Sequence, residues 1–165
     1  MNPSEIRILF EYNYRTHRRI WDCIMQLTEE QFVQPIPYSR GSLRDHCLHL
    51  IGGDRRWLAR LKGASVPDYP TPEEAPDRAT VRAMWDVNEV LMMGYIGTLS
   101  DKDLRRILLY DMPKRGGMKA TPVWQILVQM VNHGTDHRAQ MLRILYELGG
   151  PTIEQDFIVY LWNHD

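Results

Sequence analysis

The sequence predicts an all-α fold, a four-helix bundle with a long connection between its second and third helices. Three observations carry that prediction. Four stretches repeat apolar residues at steps of three and four, the period that gathers side chains on one face of an α-helix. Each stretch is apolar on one side only, so the four must cover one another. Between the second and third lies a polar segment, 63–77, with prolines at 67, 70, 72 and 76. Proline excludes helix there, and the segment reads as a surface excursion rather than a domain linker, because neither flanking half is self-sufficient.

In chain order, Ser4 reads as the N-cap of the first helix, whose stripe includes Ile6, Phe10, Asn13, His17, Ile20 and Ile24. Thr28 to Tyr38 reads as a connector, since Pro35 and Pro37 favour extended backbone. Ser42 restarts helix as an N-cap, and Leu43, Cys47, Leu50, Ile51, Leu58 and Leu61 line one side until Gly63 stops it. Thr80 to Leu99 forms the third helix, with Met84, Trp85, Asn88, Leu91, Met92 and Tyr95 at helical spacing. Leu104 to Lys119 reads as irregular, and its patch Ile107 to Tyr110 followed by Pro113 and Gly116-Gly117 fits a hairpin. The fourth helix carries the clearest punctuation: Thr121 as N-cap, Pro122 at the first helical position, and Gly149-Gly150-Pro151 as the stop. It spans about 27 residues, roughly 40 Å. Phe157 to Trp162 is expected to cover one end of the bundle.

A chain of 165 residues with 44% hydrophobic and 25% charged residues is the size and composition of one globular domain, 1–165. Twenty basic residues against 21 acidic ones leave a net charge of -1, which supplies no overall attraction toward nucleic acid or acidic lipid. Basic clusters at Arg15-Arg18-Arg19 and at Arg55, Arg56, Arg60 and Lys62 read as solvated helix faces. The start of the chain lacks an export signal and no 18-residue apolar run occurs, so the expected location is the cytoplasm, with no membrane and no nucleic-acid partner. Cys23 and Cys47 are accordingly expected to be reduced core residues.

The chemistry concentrates in Asn132-His133-Gly134-Thr135-Asp136-His137-Arg138 on the fourth helix. Four residues apart on a helix, His133 and His137 lie about 40° apart around the axis and about 6 Å along it. Both fall in a sector of about 80° shared with Ile126, Met130, Met141 and Ile144, which is the core stripe. Two adjacent imidazoles facing an apolar core each leave a nitrogen to be satisfied, and one shared divalent ion satisfies both. A third ligand from the second helix is either His46, which periodicity places nearer the centre of the apolar stripe, or His49. Gly52 and Gly53, three and four residues after His49, remove side chains beside it and leave room for an ion. His17, one turn after Asn13, reads as a satisfied core residue rather than a fourth ligand, and His164 as exposed and without a role.

Several segments together are similar to the DinB/YfiT-like family of metal-binding four-helix proteins. They are Tyr12-Asn13-Tyr14, Gly41-Ser42-Leu43-Arg44-Asp45 leading into His49-Leu50, Trp57, Asn132 to Gln140, Leu148-Gly149-Gly150-Pro151 and Asp156. The resemblance covers nearly the whole chain and is weakest over 63–77 and 104–119. It implies a bundle with a long second-to-third connection, commonly paired as a homodimer. It also implies a tri-histidine site for zinc, nickel, iron or manganese, formed here by His49, His133 and His137. The step from Ser42 to the ligand matches His49 and not His46. Some members are thiol-dependent S-transferases using low-molecular-weight thiols, and others are known as damage-inducible proteins, so fold and site transfer better than substrate.

The expected chemistry is a three-imidazole ion with an open position, which lowers the pKa of a thiol or water and presents a nucleophile at neutral pH. Asn132, Asp136 and Asn13 are candidates to hold ligand tautomers, and Arg56 and Arg138 to pair with carboxylates of a charged thiol. The alternative is a non-catalytic metal-binding stress protein, which a ligand shell closed by the protein would favour.

Overall fold

A computed structural model describes residues 1–163; His164 lies outside them. The bundle helices are α1 (Pro3–Ile24), α3 (Leu43–Lys62), α4 (Arg78–Gly97) and α6 (Val123–Glu147), and each of α1 and α3 packs against both α4 and α6. Phe10, Trp21, Ile51, Trp85, Leu127 and Ile144 fill the space between them. Among the described residues no helix is long and apolar enough to cross a membrane. Cys23 and Cys47 are free and buried.

Caps explain where the elements start. The first helix is capped by Asn2 rather than Ser4: the Asn2 side chain accepts from the Glu5 amide at 3.0 Å and the Glu5 carboxylate accepts from the Asn2 amide at 2.8 Å. Pro3 at the first position supplies a helical φ and needs no partner for an N–H, so the start moves two residues upstream. The connector after α1 contains a one-turn helix, α2 (Glu29–Val33), because Thr28 and Gln31 form a reciprocal capping box that the proline-based reading passes over. It seats Phe32 against Trp21. Ser42 caps α3 as expected, Asp45 completes a capping box with it, and Gly63, at φ 68°, ends the helix in the left-handed conformation. Asp77 caps α4.

The stretch after α4 is more regular than its composition predicts. Ser100 caps a second short helix, α5 (Asp101–Arg105), and an antiparallel hairpin follows, β1 (Ile107–Met112) and β2 (Gly117–Pro122), joined by a 3-10 turn over Pro113–Arg115. Thr121 therefore pairs with Leu108 in the hairpin and does not cap α6, and Pro122 precedes the helix instead of opening it. The Val123 amide donates to the Arg106 carbonyl at 3.0 Å, so the end of the hairpin supplies the acceptor that a capping side chain would otherwise bring. The glycine stop holds: Gly149 has φ 75° and the Gly150 amide returns to the Leu145 carbonyl at 2.8 Å. The last helix, α7 (Phe157–Trp162), packs Phe157 and Tyr160 on the Tyr12 ring at 5.0 and 5.5 Å.

Candidate metal centre

The first turns of α3 and the middle of α6 face each other, and there His49, His133 and His137 converge, each offering a ring nitrogen within 4.8 Å of the others. The Nε2 atoms of His49 and His133 are 3.3 Å apart. The His137 ring centroid lies 4.4 Å from that of His133 and 4.6 Å from that of His49. His137 is buried, while His49 and His133 are partly open.

This arrangement fits a divalent cation. Two nitrogens about 2.05 Å from one tetrahedral ion stand roughly 3.3 Å apart, the separation found between His49 and His133. Ligation also needs neutral imidazoles, and the site enforces them. Burial first, then the charge of Arg40, lowers the pKa of His49 to about 3. Burial and the neighbouring His133 and His46 lower that of His137 to about 4. Burial lowers that of His133, against the opposing pull of Asp136. All three rings are thus uncharged at neutral pH, each with one nitrogen lone pair to offer.

His46 occupies the layer beneath. It is fully buried, so periodicity reads its position correctly, but its Nδ1 faces Nδ1 of His137 at 3.2 Å. A hydrogen bond between two neutral rings at that distance requires the hydrogen on one nitrogen and the lone pair on the other. If His137 gives its Nε2 lone pair to a cation, Nδ1 keeps the hydrogen and donates it to His46, whose own hydrogen then sits on Nε2. That Nε2 is buried without a hydrogen-bond partner. His46, the alternative third ligand that the sequence offers, is thus a buried partner of a candidate ligand.

Two more neighbours escape the sequence reading. Arg40 donates from Nη2 to His49 Nε2 at 3.2 Å, which shows that this nitrogen presents a lone pair; a cation would take the same lone pair and release the guanidinium. The Arg40 loop is anchored to α6 by a hydrogen bond from Ser39 to Gln140. Tyr69, from the long connection, stacks on His49 at 5.5 Å with the rings 5° from parallel. It reaches that position over Gly52, where a Cβ would meet the Tyr69 ring at 2.3 Å. Gly52 therefore admits Tyr69 rather than leaving open room for an ion, and only Gly53 borders His133. The signal that could have pointed to Arg40 is Gly41, whose φ of 101° turns the chain just ahead of the α3 cap.

Other expected roles move. Arg138 is fully buried and donates to the Asn13 side chain, to Thr135 Oγ1 at 2.8 Å and to Gln155 Oε1 at 3.2 Å. It cannot pair with a ligand carboxylate, and Asn13 serves Arg138 rather than a histidine. Gly134 makes this possible, since a Cβ there would lie 2.6 Å from Asn13 Oδ1. His17 packs on Trp85 at a centroid distance of 4.3 Å, outside the three-histidine group. Asn132 and Asp136 are exposed, and Asp136 accepts from Gln140 at 3.1 Å while acting on the histidines through its charge alone. Asp54, which the sequence reading passes over, accepts from Tyr14 at 2.8 Å and Asn88 at 3.1 Å, and burial pushes its carboxyl up to about 6.

Comparison with known proteins agrees with this architecture. The chain is similar to Protein DinB of Bacillus subtilis (strain 168), with 28% identity over 159 residues, 93% of this chain and 92% of the relative. A crystal structure of a DinB-like protein from Bacillus cereus ATCC 10987 shares the fold at a TM-score of 0.66 and 22% identity, covering 87% of this chain and 91% of that one. The model of the DinB family matches residues 1–164, and the chain accordingly belongs to the DinB family.

Proposed function

We propose that His49, His133 and His137 hold one divalent cation, zinc or nickel first and iron or manganese as alternatives, in an enzyme that activates a thiol or water nucleophile. The activity that best fits is a thiol-dependent S-transferase acting on small electrophiles. In this reading residues 1–165 are one domain working in the cytoplasm and paired as a homodimer; the exposed stripe Val87, Val90 and Leu91 on α4 is compatible with pairing.

One observation carries the reading. Three neutral imidazoles converge, and no fourth histidine, cysteine, aspartate or glutamate joins them among the described residues. Structural sites complete their shell with protein donors, whereas catalytic ones keep an exchangeable position. A cation held there lowers the pKa of a thiol or water enough to supply an anionic nucleophile at neutral pH. The protein's part is to place charges and exclude water around that nucleophile. Arg40, once released from His49, offers its guanidinium to the anion. Tyr69 covers one face of His49 and keeps water from it. His46 fixes the proton on His137 Nδ1 and so holds Nε2 toward the centre.

The test is a conjugation assay with cysteine and glutathione as thiols and 1-chloro-2,4-dinitrobenzene as electrophile. Thioether formation above the uncatalysed rate, abolished by EDTA and by H49A, H133A or H137A, is the expected result. Product formed at the same rate with EDTA or with all three variants contradicts the proposal.

A further inference from the structure

Beside the histidines lies a cleft of about 500 Å³, bounded by α3, the long connection and the turn of the hairpin. That volume lies in the range of small-molecule sites. Its charge is one-sided: Arg56, Arg60, Lys114 and Arg115 line it against a single carboxylate, Asp68. None of the four cations forms an ion pair among the described residues. The two arginines are held by neutral acceptors. Arg56 donates to the Pro67 carbonyl, and Arg60 donates to the Arg56 carbonyl at 3.3 Å and approaches Met112 Sδ at 3.8 Å. Each guanidinium keeps further N–H donors for an incoming oxyanion.

Aromatic rings hold these cations in place. Arg56 lies over Tyr69 and Arg60 over Trp57, both at 5.1 Å, and Trp57 is braced edge-on by Tyr110 of β1 at 5.2 Å. Guanidinium over an aromatic face is an arrangement that fixes a cation without neutralising it. Burial and the charge of Arg56 both lower the pKa of Arg60, the electrostatic mark of two cations crowded together without a counter-ion.

The cleft borders the candidate metal centre. Gly53 lines it, and the missing side chain of Gly53 faces His133, with His133 Cε1 3.9 Å from where a Cβ would stand. Tyr69 is a shared wall, stacked on His49 while it borders the cleft. Arg56 follows His49 by seven residues on the same helix, about 10 Å along its axis.

We propose that this cleft binds the oxyanion end of a small-molecule substrate or co-substrate, one bearing carboxylate or phosphate groups beside a planar or apolar segment. Arg56 and Arg60 take the anion, Lys114 and Arg115 close over it from the hairpin, and Trp57 and Tyr69 take the planar segment. The other end of the molecule, about 10 Å away, reaches His49 and His133. The assignment of a reacting end rests on the metal reading above; the anion site itself does not.

Calorimetric titration separates the two. The probes are phthalate for carboxylates and phenyl phosphate for phosphate, with benzamide as the uncharged control, each added at low salt to the protein as purified and after EDTA treatment. At least one anion is expected to bind, more weakly as salt rises, and benzamide at least tenfold more weakly. R56Q/R60Q should weaken anion binding at least tenfold and K114Q/R115Q severalfold, with metal content and melting temperature unchanged. Binding that survives EDTA supports the cleft whatever the fate of the metal centre, and the better of the two anions names the group. Three outcomes overturn the proposal: neither anion binds, R56Q/R60Q binds as the parent does, or binding disappears on metal removal, which places the anion on the ion.

Discussion

His137 and Arg138 are neighbours on one helix, both are buried, and both put nitrogen into the core, yet their surroundings differ in kind. Around Arg138 the donors are consumed by Asn13, Thr135 and Gln155, and the Tyr12 ring lies 5.4 Å beneath the guanidinium. Burial still lowers its pKa, to about 10, so the group stays charged at neutral pH. Around His137 a histidine nitrogen faces a histidine nitrogen, and two further imidazoles point inward with lone pairs that protein donors do not fully meet. A closed polar network serves the fold, because every buried group has its partner. An open one holds groups in readiness for something that arrives later. Mutations should therefore separate the two regions, one through stability and the other through ligand affinity.

The largest effect belongs to the closed region. Arg138→Ala strands buried acceptors and leaves a cavity, and should cost about 3–5 kcal/mol in denaturant unfolding, while folded protein still takes up metal. An unfolding free energy within about 1 kcal/mol of the parent would erase the distinction. On the open side, His133→Ala should lower metal affinity more than about a hundredfold, beyond what loss of a supporting residue does, yet leave the metal-free protein within about 1 kcal/mol of the parent. His46→Ala should lie between these limits, at about ten- to a hundredfold in metal affinity.

Gly134→Ala probes the seam between the regions. Its Cβ meets Asn13 Oδ1 at 2.6 Å and Arg138 Nη1 at 3.1 Å, so overpacking of about 1–3 kcal/mol should exceed the gain in helix propensity, and melting temperature should fall. At the small end, Arg40→Ala removes a cation and a competing hydrogen bond from His49. Metal affinity should rise about threefold by competition with a chelator, the effect of one screened charge near the site.

Acid titration of the metal-free protein reads the open region together with two buried groups outside it, His17, which burial shifts in the same direction as the site histidines, and Asp54. His46, His49 and His137 have folded pKa values of about 4, 3 and 4, below the ordinary 6.5 of an unfolded chain. Between those limits the unfolded state binds more protons, so their contribution is whole above about pH 6.5 and declines as pH falls toward 4. Asp54 acts in the opposite sense: its carboxyl, near 6 when folded, keeps a proton that the unfolded chain releases near 3.8, and over that interval it offsets one histidine. The net expectation is stability that falls with acid, with metal moving the onset to lower pH. A flat profile between pH 7 and 5 would contradict the neutral histidine set.

Helical periodicity made the bundle and all four of its long helices legible, because burial of one face leaves a repeat that survives in sequence. Starts and stops set by one local residue, such as Ser42 and Gly63, were legible too. The α6 start was not, since its first amide is satisfied by Arg106, which belongs to another element. The same distinction runs through the site. His133 and His137 share a helix, so their spacing revealed them. His49 against His46 could not be settled from periodicity, because both lie on one helix and the choice depends on which ring nitrogen faces α6. Arg40 and Tyr69 come from a turn and a proline-rich connection, where no repeat records what a side chain will touch.

The central claim is that the three imidazoles are a ligand set with a free corner. Cobalt(II) titration of EDTA-treated protein, followed by visible absorption, tests it most directly. One equivalent per chain should produce a d–d band of four- or five-coordinate cobalt, a small thiol should shift that band, and H49A, H133A and H137A should each abolish it. Tight binding that persists in all three variants, or a band that no thiol perturbs, would contradict the account.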